Sequence, residues 1–131
     1  MRFAAFVALA LSIAIPHAAK AGDPPLVTAA RRDLGRGNFT GQRGPWCAFA
    51  VSAWLKAIGL PPLPGGTAGS ALRYGPHVAP RPGVLAVSWK HVAVVERVDG
   101  PWLITLNGNW GGRVRRARVP AARLVFVEVG A

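Results

Sequence analysis

The sequence predicts an α+β fold in which N-terminal helices pack on an antiparallel sheet of about five strands. Three observations lead to this prediction. The strongest helical segment, residues 45–58, lies in the first half of the chain, whereas β-branched residues dominate from Val84 onward. Between two β-rich stretches stands Asp99-Gly100, a dipeptide typical of hairpin turns. The length of 131 residues fits one domain.

The start of the chain has the pattern of a secretory signal peptide. Arg2 supplies a positive charge, the apolar run Phe3–Ile15 follows, and Ala19-Lys20-Ala21 matches the small-x-small pattern that signal peptidases accept. The run is too short to span a bilayer with those flanks, although an uncleaved membrane anchor is the alternative. We expect residues 1–21 to be removed, which leaves residues 22–131 as a single secreted or periplasmic domain without a membrane span.

The helix predicted at residues 45–58 is the best defined element. Pro45 suits the first helical position, where its missing N–H costs nothing, and Gly59 is a natural C-terminal stop before two prolines. One apolar stripe of this helix is expected to face the core: Cys47, Val51, Trp54 and Ile58. The sequence therefore places Cys47 in the first turn of a largely buried helix.

The other elements follow from shorter patterns. Apolar runs bounded by glycine or proline predict two further short helices and five strands: helices at 27–34 and 68–74, and strands at 84–87, 91–98, 102–107, 113–119 and 123–129. The first and last of these strands are almost continuously apolar, which predicts that they are central and covered by a helix on one face. Most of the remaining chain is rich in glycine or proline and is expected to form loops.

Cys47 is the only cysteine of the chain, so an intramolecular disulfide and a Cys-rich zinc site are excluded. At the start of a helix, aligned backbone N–H groups stabilise a thiolate and lower the thiol pKa, which makes cysteine a nucleophile near neutral pH. The same groups can hold the oxyanion that forms when a thiolate attacks a carbonyl. The alternative interpretation is a small apolar core residue.

His91 is the candidate base, because a cysteine nucleophile needs a proton acceptor within hydrogen-bond reach. It opens a predicted strand, where a structural histidine is the alternative. A hairpin that turns at Asp99-Gly100 brings residues near 107 opposite the start of that strand. The side-chain carbonyl of Asn107 or Asn109 can then orient the imidazole, and Asn107 is favoured because it shares strand parity with Thr105. The alternative for both asparagines is an ordinary role in a turn.

Three segments resemble the CHAP domain, the cysteine, histidine-dependent amidohydrolase/peptidase family of the NlpC-type and papain-like superfamily. Residues 44–52 (GPWCAFAVS) look like its cysteine segment, residues 81–87 with 91–96 look like its histidine segment, and residues 106–109 (LNGN) look like the segment of its third polar residue. The resemblance covers most of residues 22–131. It implies a papain-like, CHAP-type fold for that domain.

The resemblance also implies an activity, the hydrolysis of peptide or amide bonds in peptidoglycan. Cys47 would be the nucleophile, His91 the base, and Asn107 or Asn109 the residue that orients the base. One departure from the family pattern is Lys90, which stands where the family often has glycine. A lysine beside the base is expected to lower the pKa of His91 by like-charge repulsion.

Four further residues are candidates for substrate binding. Trp46, Trp89 and Trp110 each lie within three residues of a candidate catalytic residue. Aromatic walls suit a sugar-peptide substrate, and core packing is the alternative. Gln42 lies five residues before Cys47 and is a candidate oxyanion donor, as the resemblance to papain-like enzymes implies.

The formal net charge of +11 favours acidic partners, namely peptidoglycan or another acidic polymer. Four arginines crowd one predicted strand but are divided between its two faces, which disfavours nucleic acid and leaves a solvated edge strand as the alternative: Arg113, Arg115, Arg116 and Arg118. Acidic residues and histidines are few, so no metal or other cofactor is expected, and we expect a monomer. The alternative function is a catalytically silent module on the same fold that binds an acidic glycan or other anionic polymer.

Overall fold

The computed structural model describes residues 22–130, so the predicted signal peptide, residues 1–21, lies outside the described residues. Helix α1 spans Pro25–Arg32, helix α2 spans Cys47–Ala57, and a 3₁₀ helix spans Ala68–Arg73. Six strands follow: β1 (His77–Val78), β2 (Leu85–Val87), β3 (Val92–Asp99), β4 (Trp102–Trp110), β5 (Arg113–Pro120) and β6 (Val125–Val127). Helices that precede an antiparallel sheet confirm the predicted α+β class. No helix of the described chain is long and apolar enough to cross a membrane.

The strands of the described residues form one sheet in the order β1-β6-β2-β3-β4-β5, and every neighbouring pair is antiparallel. All five predicted strands are present, and the two predicted to be central, β2 and β6, are interior strands. The prediction did not include β1, whose two residues lie in a proline-rich stretch and pair with β6. The sheet therefore has six strands where about five were expected.

Helix α2 begins two residues later than predicted. Trp46 is its N-cap, with φ −124° and ψ 14°, so Pro45 lies before the helix and the prediction of Pro45 as its first residue is wrong. The Trp46 indole is buried, and its packing, rather than the preference of proline for a first turn, fixes where the helix begins. The helix ends at Ala57, one residue before the predicted end, with Ile58 as the C-cap, and Gly59 adopts a φ of 84° that favours glycine.

The β3–β4 hairpin turns one residue later than predicted. Asp99 pairs with Trp102, so Gly100 and Pro101 form the two-residue loop. Gly100 has a φ of 58°, which residues with a side chain rarely adopt. Pro101 has no N–H to donate to the ladder and is therefore suited to the loop. These two properties move the turn from Asp99-Gly100 to Gly100-Pro101.

Two apolar clusters lie on opposite faces of the sheet. The larger fills the space between the sheet and helices α1 and α2, and it includes Trp54 and Leu106. The smaller consists of residues from the sheet and its connections: Val84, Ala86, Val95, Leu103 and Phe126. Thr105 and Asn107 share a face of β4 with Leu103, and both are buried. This buried polar pair continues the smaller cluster along β4 as far as Gly108, the residue that lies against Ala50 of α2.

Candidate active site

Cys47 is the first residue of α2, and only 5% of its surface is exposed. Its sulfur interacts by hydrogen bonds with the His91 side chain and with the backbone N–H groups of Ala48 and Val92. The Ala48 N–H belongs to the first turn of the helix, where no intrahelical carbonyl is available to it. The Val92 N–H comes from the first residue of β3. The sulfur therefore lies among donors that stabilise its thiolate.

His91 directly precedes β3 and is half-buried. A tight turn fixes its backbone, because the Ser88 N–H donates to the His91 carbonyl at 2.8 Å and the His91 N–H donates to Ser88 Oγ at 3.2 Å. The imidazole packs edge-on against Trp110, with ring centroids 5.6 Å apart. The turn and the indole thus hold the imidazole at the end of β3, in hydrogen-bonding contact with Cys47.

Asn107 fixes the tautomer of His91. His91 Nε2 and Asn107 Oδ1 are 2.9 Å apart. Asn107 Nδ2 donates to the carbonyl and hydroxyl oxygens of Thr105, at 3.2 and 2.9 Å, and to the Arg115 carbonyl at 3.1 Å. The two carbonyls can only accept, so Nδ2 must face them and Oδ1 must face His91. Nε2 therefore carries the proton, and Nδ1 is the ring nitrogen left for Cys47.

Asn109, the other candidate for orienting the base, lies elsewhere. It is located where the β4–β5 pairing shifts register between Asn107 and Trp110, and its φ is 57°. Among the described residues, no hydrogen bond joins Asn109 to His91. Of the two asparagines, Asn107 is the one that lies within hydrogen-bond distance of the imidazole.

The two reactive groups shift each other's pKa. Burial raises the pKa of the Cys47 thiol, but hydrogen bonds from His91 and two backbone N–H groups, with the charge of His91, bring it below its ordinary value. Burial lowers the pKa of His91, but its interactions with the Cys47 thiolate and Asn107 raise it above its ordinary value. The expected lowering by Lys90 is wrong, because that side chain is exposed and the thiolate is in direct contact. Both shifts favour a thiolate–imidazolium pair.

The three candidate tryptophans occupy different environments. Trp46 is 4% exposed and packs in the core, which was the alternative for this residue. Trp110 is 40% exposed and borders His91. Trp89 is 82% exposed, and its ring rests on Gly69, where an added Cβ would lie 3.0 Å from two ring carbons. One exposed indole, Trp110, therefore borders the imidazole, whereas Trp89 packs against Gly69 and Trp46 does not line an open groove.

Gln42, the candidate oxyanion donor, lies exposed in the loop before α2. Its carbonyl accepts a hydrogen bond from Asn38 Nδ2 at 2.7 Å, and its N–H donates to Thr40 Oγ1 at 3.2 Å. These bonds fix the shape of the loop. No hydrogen bond among the described residues joins the Gln42 side chain to Cys47 or His91, so the oxyanion role stays a prediction.

Gly108 determines how closely α2 approaches β4. An added Cβ at this position would lie 2.4 Å from Ala50 Cβ and 3.4 Å from a ring carbon of Trp46. Glycine therefore allows the first turn of the Cys47 helix to contact the strand that carries Asn107. Sequence reasoning missed this role, and also that of Thr105. The one available signal was the glycine itself, which directly follows the strand predicted at 102–107, since glycine often marks a close backbone approach.

The fold and the site define an α+β domain in which a cysteine at a helix start, a histidine before a strand and a buried asparagine form one hydrogen-bonded chain. Within residues 22–130, no group of three or more His, Cys, Asp or Glu side chains is placed to hold a metal ion.

Comparisons with known proteins show a likeness of fold alone. No family model matches the chain, and no curated protein matches it. Among solved structures, the chain is similar to one described as "The crystal structure of Ly7917", with a TM-score of 0.50 and 18% sequence identity. The alignment covers 79% of this chain and 61% of that one, so this chain spans less than two thirds of the length of that protein.

Proposed function

We propose that the chain is an exported cysteine hydrolase that cleaves peptide or amide bonds in peptidoglycan. Cys47 is the nucleophile, His91 the base, and Asn107 the residue that orients the base. The observation that carries the proposal is the hydrogen-bonded chain from the thiol through the imidazole to a buried amide. A core cysteine needs no such chain, whereas a thiol nucleophile needs a base and an orienting group. The resemblance of three segments to the CHAP domain supplies the substrate class.

In the first half of the reaction, the Cys47 thiolate attacks the carbonyl carbon of the scissile amide, and a C–S bond forms as the carbonyl oxygen becomes an oxyanion. The Cys47 N–H, at the open end of α2, and the Gln42 side chain are the candidate donors to that oxyanion. The imidazolium of His91 then gives its Nδ1 proton to the leaving nitrogen. The C–N bond breaks, the amine leaves, and a thioester remains.

In the second half, His91 Nδ1 takes a proton from water, and the resulting hydroxide attacks the thioester carbon. The C–S bond breaks, the carboxylic acid leaves, and the Cys47 thiolate returns. Asn107 keeps the proton on Nε2 throughout, so that Nδ1 is always the nitrogen that transfers the proton. The balance of the two halves requires only water as a co-reactant.

The charge distribution supports an acidic substrate. Most acidic side chains of the chain are engaged in ion pairs within the fold: Asp23 and Glu96 with Arg31, Glu96 with Arg116, Asp33 with Arg36, and Glu128 with Arg81. Most of the remaining arginines are exposed to solvent. The surface therefore presents a positive field that attracts acidic polymers such as the cell wall. Export and a monomeric state remain part of the proposal.

One observation favours the second candidate function, a catalytically silent module that binds an acidic glycan or other anionic polymer. Arg97 and Arg118 flank Ile104 in a row across three neighbouring strands, and both are exposed. Arg118 also lies over the Trp102 ring, 4.0 Å from its centroid. This row lies toward the β3–β4 turn, whereas His91 lies at the opposite end of β3. Binding through it would not require the thiol.

The test is a digest of purified sacculi by the protein in the presence of a reducing agent, analysed by mass spectrometry. Cys47→Ala removes the sulfur from a site that accepts a small side chain, so stability should change by no more than about 1 kcal/mol. The proposal expects new muropeptides with the native protein and none with the Cys47→Ala variant. Their masses would identify the bond that is cut.

Two results would contradict the hydrolase. An intact sacculus together with a thiol of ordinary reactivity would remove the chemical basis of the proposal. Salt-sensitive binding to sacculi that survives Cys47→Ala, and is lost in an Arg97→Ala/Arg118→Ala double variant, would favour the binding module instead.

A further inference from the structure

The geometry points to Thr105 as a positioning residue of the proposed site, which acts on His91 through Asn107. The inference rests on the proposed function. The Thr105 hydroxyl lies between two groups: Asn107 Nδ2 donates to Oγ1 at 2.9 Å, and Oγ1 donates to the Ala117 carbonyl at 3.2 Å. Of the three oxygens around Nδ2, Oγ1 is the nearest.

The direction of these bonds determines what the hydroxyl does. Its single proton goes to the Ala117 carbonyl, so only its lone pairs are left to face Asn107. Thr105 therefore accepts from the NH₂ side of the amide and leaves Oδ1 for the imidazole. Thr105 and Asn107 are each 1% exposed, so water is not available to replace the bond.

Backbone carbonyls of strand β5 hold the Thr105 and Asn107 side chains in place. In the β4–β5 register, Thr105 lies opposite Ala117 and Asn107 lies opposite Arg115. Each side chain donates to the backbone carbonyl of the residue opposite it. Asn107 is thus connected to β5 twice, once directly and once through the threonine. The edge strand thereby fixes the amide that orients the base.

Replacing the hydroxyl by a methyl group disturbs the amide in two ways. Thr105→Val removes the acceptor of the shortest bond to Nδ2. A methyl carbon also needs about 3.5 Å from a neighbouring heavy atom, so the amide must move by about half an ångström. The Asn107 bond to His91 then lengthens or bends, the imidazolium is held less well, and the thiolate that depends on it is less stable.

The experiment measures the rate at which iodoacetamide alkylates the purified protein as a function of pH. Cys47 is the only thiol, so the rate reports on this site and requires no substrate. Thr105→Val should lower the rate near pH 6 about fivefold, the change expected from one lost hydrogen bond, and should move the midpoint of the profile upward. Thr105→Ser keeps the hydroxyl and should restore the native midpoint. Leu103→Ala, on the same face of β4, should lower the unfolding temperature and leave the midpoint unchanged.

A double-mutant cycle separates positioning from general stability. If Thr105 acts through Asn107, adding Thr105→Val to Asn107→Ala should cause no further shift of the midpoint. A native midpoint in Thr105→Val, or an undiminished extra shift in the double variant, would overturn the inference. Thr105→Ala, which lacks the steric clash, should shift the midpoint in the same direction and serves if the valine variant does not fold. An ordinary thiol profile in the native protein would instead overturn the proposed function itself.

Discussion

The close contact between α2 and β4 gives the sharpest test of how the site is assembled. In Gly108→Ala, the new Cβ would lie 2.4 Å from Ala50 Cβ. Carbon atoms in contact prefer about 3.5–4.0 Å, so the helix and the strand must separate by about 1 Å at this point. Ala50 lies within one turn of Cys47. The thiol and the Asn107–His91 pair are therefore pushed apart by a comparable distance.

The substitution should reduce the reactivity of the site without unfolding the chain. Overpacking of this kind typically destabilises a fold by about 1–3 kcal/mol. A displacement of about 1 Å in a catalytic arrangement can reduce the rate about 100-fold. We therefore expect Gly108→Ala to remain folded, and to lose most of its alkylation rate near neutral pH and most of its turnover on sacculi.

The assay combines thermal unfolding with the alkylation rate of Cys47. Gly37→Ala is the matched control, because an added Cβ there meets nothing within 4 Å, and it should leave both quantities unchanged. Adding Ala50→Gly to Gly108→Ala removes the opposing methyl and should recover the rate, at a cost of about 1 kcal/mol in the helix. A folded Gly108→Ala variant with native thiol reactivity would refute the reasoning.

Two further predictions concern pH. Turnover should follow a bell-shaped pH profile. Its acid limb should lie below pH 9.0, because the pKa of Cys47 is lowered, and its basic limb should lie above pH 6.5, because the pKa of His91 is raised. A pH profile of kcat/KM with an acid limb at pH 9.0 would contradict this prediction. Glu96→Gln should lower the free energy of unfolding at neutral pH by about 1 kcal/mol, since its largely buried carboxylate pairs with two arginines. Burial raises the pKa of Glu96, but the two arginines outweigh burial, and the net shift of the pKa is downward. The stabilisation by Glu96 is therefore fully present above pH 4.5 and is lost as the pH falls through the lower pKa of the folded state. Denaturant unfolding at about pH 7 and pH 3, with exposed Asp99→Asn as control, should show a smaller loss at the lower pH than at the higher one.

Residues that carry their own local signal were predictable from the sequence. Gly59 and the prolines after it mark the end of the Cys47 helix, and the structure ends the helix within one residue of the predicted position. The apolar runs of β2 and β6 indicate interior strands because no polar face alternates with the apolar one. The candidate cysteine and histidine could be chosen because few residue types act as nucleophile or base, and each occurs rarely in this chain.

Features decided by tertiary packing could not be predicted. The start of α2 depends on a buried Trp46 rather than on Pro45. The two residues of β1 form a strand only because β6 lies beside them. Asn107 can be buried because three oxygens, one of them on β5, accept hydrogen bonds from its Nδ2. Nothing in the local sequence indicates that arrangement. Such residues are specified by partners distant in sequence, which a local pattern does not contain.

The three residues of the hydrogen-bonded chain come from separate parts of the polypeptide: the start of a helix, the residue before β3 and the interior of β4. Contacts between residues so distant in sequence carry a large loop-closure cost, so we expect them to form after the hairpin and the helix have docked. In an unfolded chain, Cys47 is an ordinary thiol with a pKa near 9.0. The lowered thiol pKa and the native structure therefore arise together, and an unfolded chain has no activated thiol. For the same reason, the alkylation rate of this single thiol can be used to follow the final stage of folding.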